Sequence, residues 1–156
     1  MIVVIADDLT GAAELAGMGW HHGLKVQMST MVDDSFDEDL LVIATDTRSM
    51  TESDAVIETG KITADVLSLH PHLIYKKIDS VLRGHIIPEL TSQLKILGRK
   101  RALVVAANPS LERTIRNGNY FYKDQPVHLS SFSKDPEFAI TSPDVLKMLR
   151  TTNPLV

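Results

Sequence analysis

Four short polar clusters hold the residue types that can do chemistry in this chain. They are Asp7-Asp8-Leu9-Thr10-Gly11, Asp46-Thr47-Arg48, Lys76-Lys77-Ile78-Asp79-Ser80-Val81-Leu82-Arg83-Gly84, and Asn108-Pro109-Ser110 with Arg113 a few residues on. Each follows an apolar run of the kind that forms a buried strand. Aspartate can accept a proton or bonds from sugar hydroxyls, arginine can grip a carboxylate with two parallel bonds, and lysine supplies a point charge. Converging on one cleft, such a set suits a small, anionic, hydroxylated ligand. Two plainer readings compete. Asp8 or Thr10 can serve only as a cap for the helix that follows, and the charged groups can be ion pairs that satisfy one another.

Bringing these clusters together requires parallel strands whose carboxyl ends share one edge, the place where ligands of open α/β sheets bind. The chain supplies them. Ile2-Val3-Val4-Ile5-Ala6, Lys25-Val26-Gln27-Met28-Ser29, Leu40-Leu41-Val42-Ile43-Ala44-Thr45, His72-Leu73-Ile74-Tyr75-Lys76-Lys77 and Ala102-Leu103-Val104-Val105-Ala106 read as five strands. Between them, Ala12 to Gly19 continues as a helix, residues 51–69 place Ala55, Val56, Thr59, Ile62, Thr63, Val66 and Leu69 at helical spacing, and Pro88 opens a helix that Gly98 stops. The expected architecture is α/β: a mainly parallel open sheet of about five or six strands flanked by helices. After Asn108 the pattern changes. Residues 117–122 and 126–129 flank Lys123-Asp124-Gln125 and predict a C-terminal hairpin excursion, followed by a short helix capped by Ser142-Pro143-Asp144. Leu155-Val156 reads as the start of another element, so residues 1–156 are expected to be one domain cut short at its C-terminal side.

Composition narrows the function classes. The 156 residues allow one core of ordinary size, and the net charge of -4 argues against nucleic acid or an anionic membrane as partner. No cysteine occurs, which removes disulfides, thiolate metal sites and thiol catalysis and is compatible with a reducing compartment. The chain opens directly on a strand without a basic leader, and no run approaches the roughly 18 apolar residues of a membrane span, so a cytoplasmic location is expected. The acidic stretch from Asp33 to Asp39 reads as a solvated connection. His21-His22 and His70-Pro71-His72 lack metal-ligand spacing, and no metal site is expected. Trp20 with Met18 reads as core.

The third cluster is hard to explain by packing alone, and together with the first it resembles the four-carbon acid sugar kinase family. The resemblance runs through Asp7 to Ala12, Lys76 to Gly84, Arg113-Thr114 with Asn117-Gly118, the Tyr122-Lys123-Asp124-Gln125-Pro126-Val127 hairpin and Ser133-Lys134-Asp135-Pro136, in order over nearly the whole chain. It implies an ATP-dependent kinase acting on tetronate-type acids such as erythronate, threonate or their oxo derivatives. This chain corresponds to the N-terminal, sugar-acid-binding part of a two-domain enzyme. ATP and Mg2+ belong mostly to a separate C-terminal nucleotide-binding domain, and a homodimer is left open. The chain contains no phosphate-binding glycine loop of its own. The fragment is expected to bind substrate and to catalyse nothing unaided. Where the family usually carries Thr, this chain has Val81.

Phosphoryl transfer to an alcohol needs a carboxylate that orients the hydroxyl and takes its proton. Asp8 is the leading candidate, with Asp79 second and Asp7 as an orienting partner. Lys76 or Lys77, Arg83, Arg48 and Arg113 are the expected anchors of the substrate carboxylate, Ser80 and Thr10 of its hydroxyls, and Gly11 and Gly84 allow close backbone approach. Two readings from other classes compete. One is a phosphorelay receiver, with Asp7-Asp8, Asp46 as phosphorylated residue and Lys76 in loose correspondence. The other is a stand-alone sugar-acid-binding module.

Overall fold

The aliphatic, β-branched runs at Ile2–Ala6 (β1) and Leu40–Ala44 (β3) form the two central strands of a parallel sheet, and every residue of β3 is buried. The computed structural model describes residues 1–33 and 36–152. Val26–Ser29 (β2) lies outside β3 and Leu73–Lys77 (β4) outside β1, giving the order β2-β3-β1-β4 with all pairs parallel. Three helices flank it: Leu9–His21 (α1), Glu52–Ser68 (α2) and Ile86–Ile96 (α3).

The period-two alternation of strand side chains splits the core into two layers. Val3, Ile5, Leu41, Ile43 and Ile74 pack with Ile62 and Val66 of α2 on one face. Val4, Ala6, Val42 and Ala44 pack with Ala12, Leu15 and Ala16 of α1 on the other. Close approach of α1 depends on small residues: a Cβ on Gly19 would stand 2.3 Å from a Leu40 methyl.

A second core lies beyond the sheet. Arg113–Arg116 (β5), Asn119–Tyr122 (β6) and Gln125–Pro126 (β7) form a small antiparallel meander. Its Tyr120 and Val127 pack with Ile140 and Leu149 against Val81, Leu82 and Ile86 of the β4–α3 connection. The last described helix, Val145–Met148 (α4), is capped by the Asp144 carboxylate, which accepts from the Lys147 N–H.

Four expectations change. The 102–106 segment pairs with no strand of the sheet among the described residues, with Leu103 89% and Val105 65% exposed, so that sheet has four strands there and not five or six. The hairpin is a three-stranded meander: Asn117-Gly118 is not strand but a turn, both residues at positive φ, and Lys123-Asp124 turns in the same way. Pro143 precedes α4 and its carbonyl accepts from the Tyr120 N–H, outside the helix. Trp20 and Met18 are not core; they are 77% and 53% exposed on the outer side of α1. Asp34 and Ser35 of the acidic connection, and the proposed element at Leu155-Val156, lie outside the described residues.

Candidate functional site

The carboxyl ends of β1, β3 and β4 deliver three loops to one edge of the sheet, and their charged side chains close into a single network. Arg48 is its hub. Its Nε donates to Asp7 Oδ2 at 2.9 Å and its Nη1 to Asp8 Oδ2 at 2.9 Å, while Asp79 Oδ1 stands 3.7 Å from the same Nη1. Arg83 grips Asp79 in two-pronged fashion, Nε to Oδ2 at 2.9 Å and Nη2 to Oδ1 at 2.7 Å. Its Nη1 reaches Asp135 Oδ2 at 2.6 Å, tying the meander region to the sheet edge. The backbone N–H groups of Val81 and Arg83 also donate to Asp79 Oδ2.

The carboxylates are therefore held differently. Burial is the largest influence on Asp7 and pushes its carboxyl above the ordinary value despite Arg48; its Oδ1 has no hydrogen-bond partner among the described residues. Burial would also raise Asp79, but the bonds and charge of Arg83 outweigh it and hold the carboxyl below its usual range. The Asp135 carboxyl is likewise lowered, first by the Phe138 N–H and then by Arg83. Asp8 is the most solvent-facing of the three sheet-edge aspartates, its side chain 22% exposed against 5% for Asp7 and Asp79. Its Oδ1 caps α1 through the Gly11 N–H at 2.8 Å. Capping and site membership are thus one arrangement.

Both glycines expected at the site are required there. A Cβ on Gly11 would fall 2.8 Å from Asp8 Oδ1 and 3.1 Å from the Lys77 stem. Gly84 has φ +90°, and a Cβ would lie 3.3 Å from Arg48 Cγ and 3.6 Å from Asp7 Oδ2. Leu82, at φ 63°, bears the same left-handed backbone without being glycine, and the second core buries its side chain in compensation.

The neighbouring lysines separate completely. Lys77 shares the α1 face, beside Gly11, and its Nζ lies 3.3 Å from the exposed Glu14 carboxylate. Lys76 points to the opposite face, where it is sealed against Glu89 of α3, whose Oε2 also accepts from the Thr59 hydroxyl of α2. Glu89 is 1% exposed and Thr59 fully buried. Lys76 is thereby removed from the list of substrate anchors. Arg83 also departs from that role, its Nε, Nη1 and Nη2 all engaged by Asp79 and Asp135, whereas Arg48 uses its Nε and Nη1 on Asp7 and Asp8 and so shapes the site between them.

Arg113 differs from both. No carboxylate pairs with it among the described residues, and its buried Nε has no hydrogen-bond partner there. It sits where β5 begins, fixed by two backbone bonds to Asn108, and its charge is felt by Tyr120. The Tyr120 hydroxyl donates to the carbonyls of Ser80 at 2.5 Å and Ala106 at 3.2 Å, and burial pushes its pKa up to about 12. Ser80 thus lies beside the Asp79 loop, and Thr10 is exposed in the first turn of α1. Val81, in place of the usual Thr, is fully buried in the second core, so a hydroxyl there would not face solvent. Asp46 is exposed, at φ 54°, and makes no cap bond. With Lys76 sealed on the other face, the receiver reading loses its lysine.

Sequence reasoning did not assign site roles to Asp135, Tyr120 or Glu89. Glu89 carried a signal: it occupies the buried face of α3 with Ile86 and Gln93, where a lone carboxylate needs an opposite charge. Asp135 was quoted only within its Asp-Pro pair, and nothing local in the sequence points from it to Arg83.

An α/β sheet whose carboxyl edge gathers aspartates, arginines and hydroxyls defines a candidate small-molecule-binding domain. The chain belongs to the family of sugar-binding N-terminal domains, whose model matches residues 2–154. Among its relatives are a D-threonate kinase of Salmonella typhimurium, 32% identical over 95% of this chain and 36% of that protein, and a D-erythronate kinase of Heliobacterium modesticaldum, 32% identical over 87% and 32%. The chain spans about a third of the length of these curated relatives. A solved domain of unknown function from Bordetella bronchiseptica, a domain-swapped dimer with bound citrate, superposes with a TM-score of 0.84 at 26% identity, covering 96% of this chain and 40% of that one. No helix among the described residues is long and apolar enough to cross a membrane.

Proposed function

We propose that this chain is the sugar-acid-binding domain of a longer, cytoplasmic ATP-dependent kinase for four-carbon sugar acids of the threonate, erythronate or 3-oxo-tetronate type. One observation carries the reading: three loops distant in sequence meet at the sheet edge around Asp8, which Arg48 and the α1 N-terminus hold with one side toward solvent. Family membership and the kinase relatives give the substrate class.

Asp8 accepts the proton of the substrate hydroxyl. Arg48 aims it, and the buried Asp7 orients Arg48 from behind. Asp79, with both oxygens occupied, is a positioning residue that fixes Arg83 and the backbone of the Ser80 loop. Arg113 and Lys77 are the anchors of the substrate carboxylate, and Ser80 and Thr10 of its hydroxyls. ATP supplies the phosphoryl group. Its site, with Mg2+, is assigned to the roughly two thirds of the kinase relatives' length that this chain does not match. A homodimer of the whole enzyme is compatible with this reading.

The test is turnover of D-threonate and D-erythronate with ATP by the full-length protein, with and without Asp8→Asn. Loss of turnover with ligand binding retained is expected, since Asn still caps α1. Undiminished turnover in the variant removes Asp8 from the role. Tetronate binding without any turnover makes the domain a binding module instead.

A further inference from the structure

The sheet is open on one side. β4 is its last strand, and among the described residues no backbone hydrogen bond reaches its outer edge. The 102–106 segment, which reads as a strand of the same sheet, pairs with none of its strands among the described residues. Between the two lies a cleft of about 830 Å³, floored by the apolar side of α3 through Leu90, Leu94 and Leu97.

The cleft runs along β4 from Leu73 to Lys76, with residues 101–105 on its other side, so its two long walls are both of strand length. Its walls are also half-built. Tyr75 on β4 and Leu103 and Val105 across the cleft are large apolar side chains left 47%, 89% and 65% exposed, which is costly unless something covers them. One polar group points the same way: Gln93 lines the cleft, is 2% exposed, and its buried Nε2 has no hydrogen-bond acceptor among the described residues. A backbone carbonyl passing through the cleft would supply one.

We infer that the cleft receives one apolar β-strand from the part of the full-length protein that this chain does not span, inserted between β4 and the 102–106 segment so that both become interior strands. The occupant is chosen by length: about two thirds of each curated relative lies outside the region matched here. The inference rests on the reading of the chain as one part of a longer kinase. It adds that the sugar-acid domain is completed by a later strand. Because β4 leads directly into the Asp79–Gly84 loop, that strand also steadies the site from the side away from α1.

Two measurements on the full-length protein decide it. Hydrogen exchange of the β4 amides that β1 leaves free, and of the amides at 102–106, is expected to be slowed on the order of 10³-fold or more relative to unstructured rates. Fast exchange at β4 overturns the inference, as does protection that appears only with dimerisation at high concentration, which assigns the cleft to a second copy. The second measurement separates insertion from simple closure of the 102–106 segment onto β4. Cysteine pairs at positions 75 and 103, or 75 and 105, are oxidised under mild conditions in the folded protein. With a strand between them the backbones are about 9.6 Å apart, beyond the roughly 7 Å limit for a disulfide, so none forms while a longer bismaleimide bridges them. A disulfide overturns the inference. Tetronate turnover is recorded alongside: turnover with an unprotected β4 leaves the kinase reading standing and the inserted strand refuted, and the converse result does the opposite.

Discussion

Two buried ion-pair systems lie back to back across β4, and they begin from adjacent residues. Lys76 pairs with Glu89 on the α2/α3 face, with Thr59 as a third member. On the opposite face Lys77 sits beside Gly11 and the Asp7–Arg48–Asp8 network. The first is sealed between helices, with Lys76 Nζ and the Thr59 hydroxyl both meeting Glu89 Oε2. The second opens on solvent at Asp8, and Arg113 at the start of β5 is a cation without a carboxylate among the described residues. Burial and pairing alone therefore do not mark a site. An acceptor left open to solvent does.

The sharpest way to break the comparison is on the open side. Asp8→Asn is expected to lower kcat of the full-length kinase by about 10² to 10⁴-fold, the usual worth of a positioned proton acceptor, with little change in tetronate affinity. On the sealed side, Lys76→Met leaves Glu89 buried without an opposite charge and is expected to cost about 3–5 kcal/mol of stability in denaturant unfolding. Combining it with Glu89→Leu should recover most of that loss, and tetronate affinity should stay within about twofold throughout. An affinity loss greater than tenfold in the double variant would return Lys76 to the site. Next in size, Arg113→Ala should weaken tetronate binding roughly 10- to 100-fold, the range of a charge-assisted hydrogen bond, without a matching fall in stability. Arg113→Lys should restore part of it.

The smallest effect lies in acid. The folded-state pKa of Asp79 is depressed, so its contribution is complete above the unfolded value of ~3.9 and disappears as pH falls through the folded value. The Asp7 carboxyl is raised, so its contribution has the opposite sign and diminishes as pH rises through its folded value. Thermal unfolding of Asp79→Asn should show a shallower acid limb below about pH 4 than the parent protein, and an unchanged limb would detach Asp79 from the network.

Much of this was legible from local patterns. Strands β1, β3 and β4 follow from uninterrupted aliphatic runs, α2 from its spacing, and the convergence of Asp7, Arg48 and Asp79 from the rule that parallel strands share a carboxyl edge. The face of each lysine was not legible, because it depends on the register of β4, which only the sheet fixes. Arg48 and Arg83 were read as ligands for the substrate because the sequence shows their charge and not their partners. Residues 102–106 have strand composition, yet a strand forms only when it is paired, and no described strand pairs with them. The Asn117-Gly118 turn carried its own signal, a dipeptide suited to a tight hairpin, and was masked by the aromatic run after it.

The central claim is that the sugar-acid site lies at the carboxyl edge of this sheet, around Asp8 and Arg113. The most direct measurement is isothermal titration of the full-length protein with D-threonate and D-erythronate, beside Arg113→Ala and Lys76→Met. Saturable one-to-one binding that weakens with Arg113→Ala and persists with Lys76→Met is the predicted result. Binding indifferent to Arg113, or lost with Lys76→Met while the protein stays folded, would contradict the account.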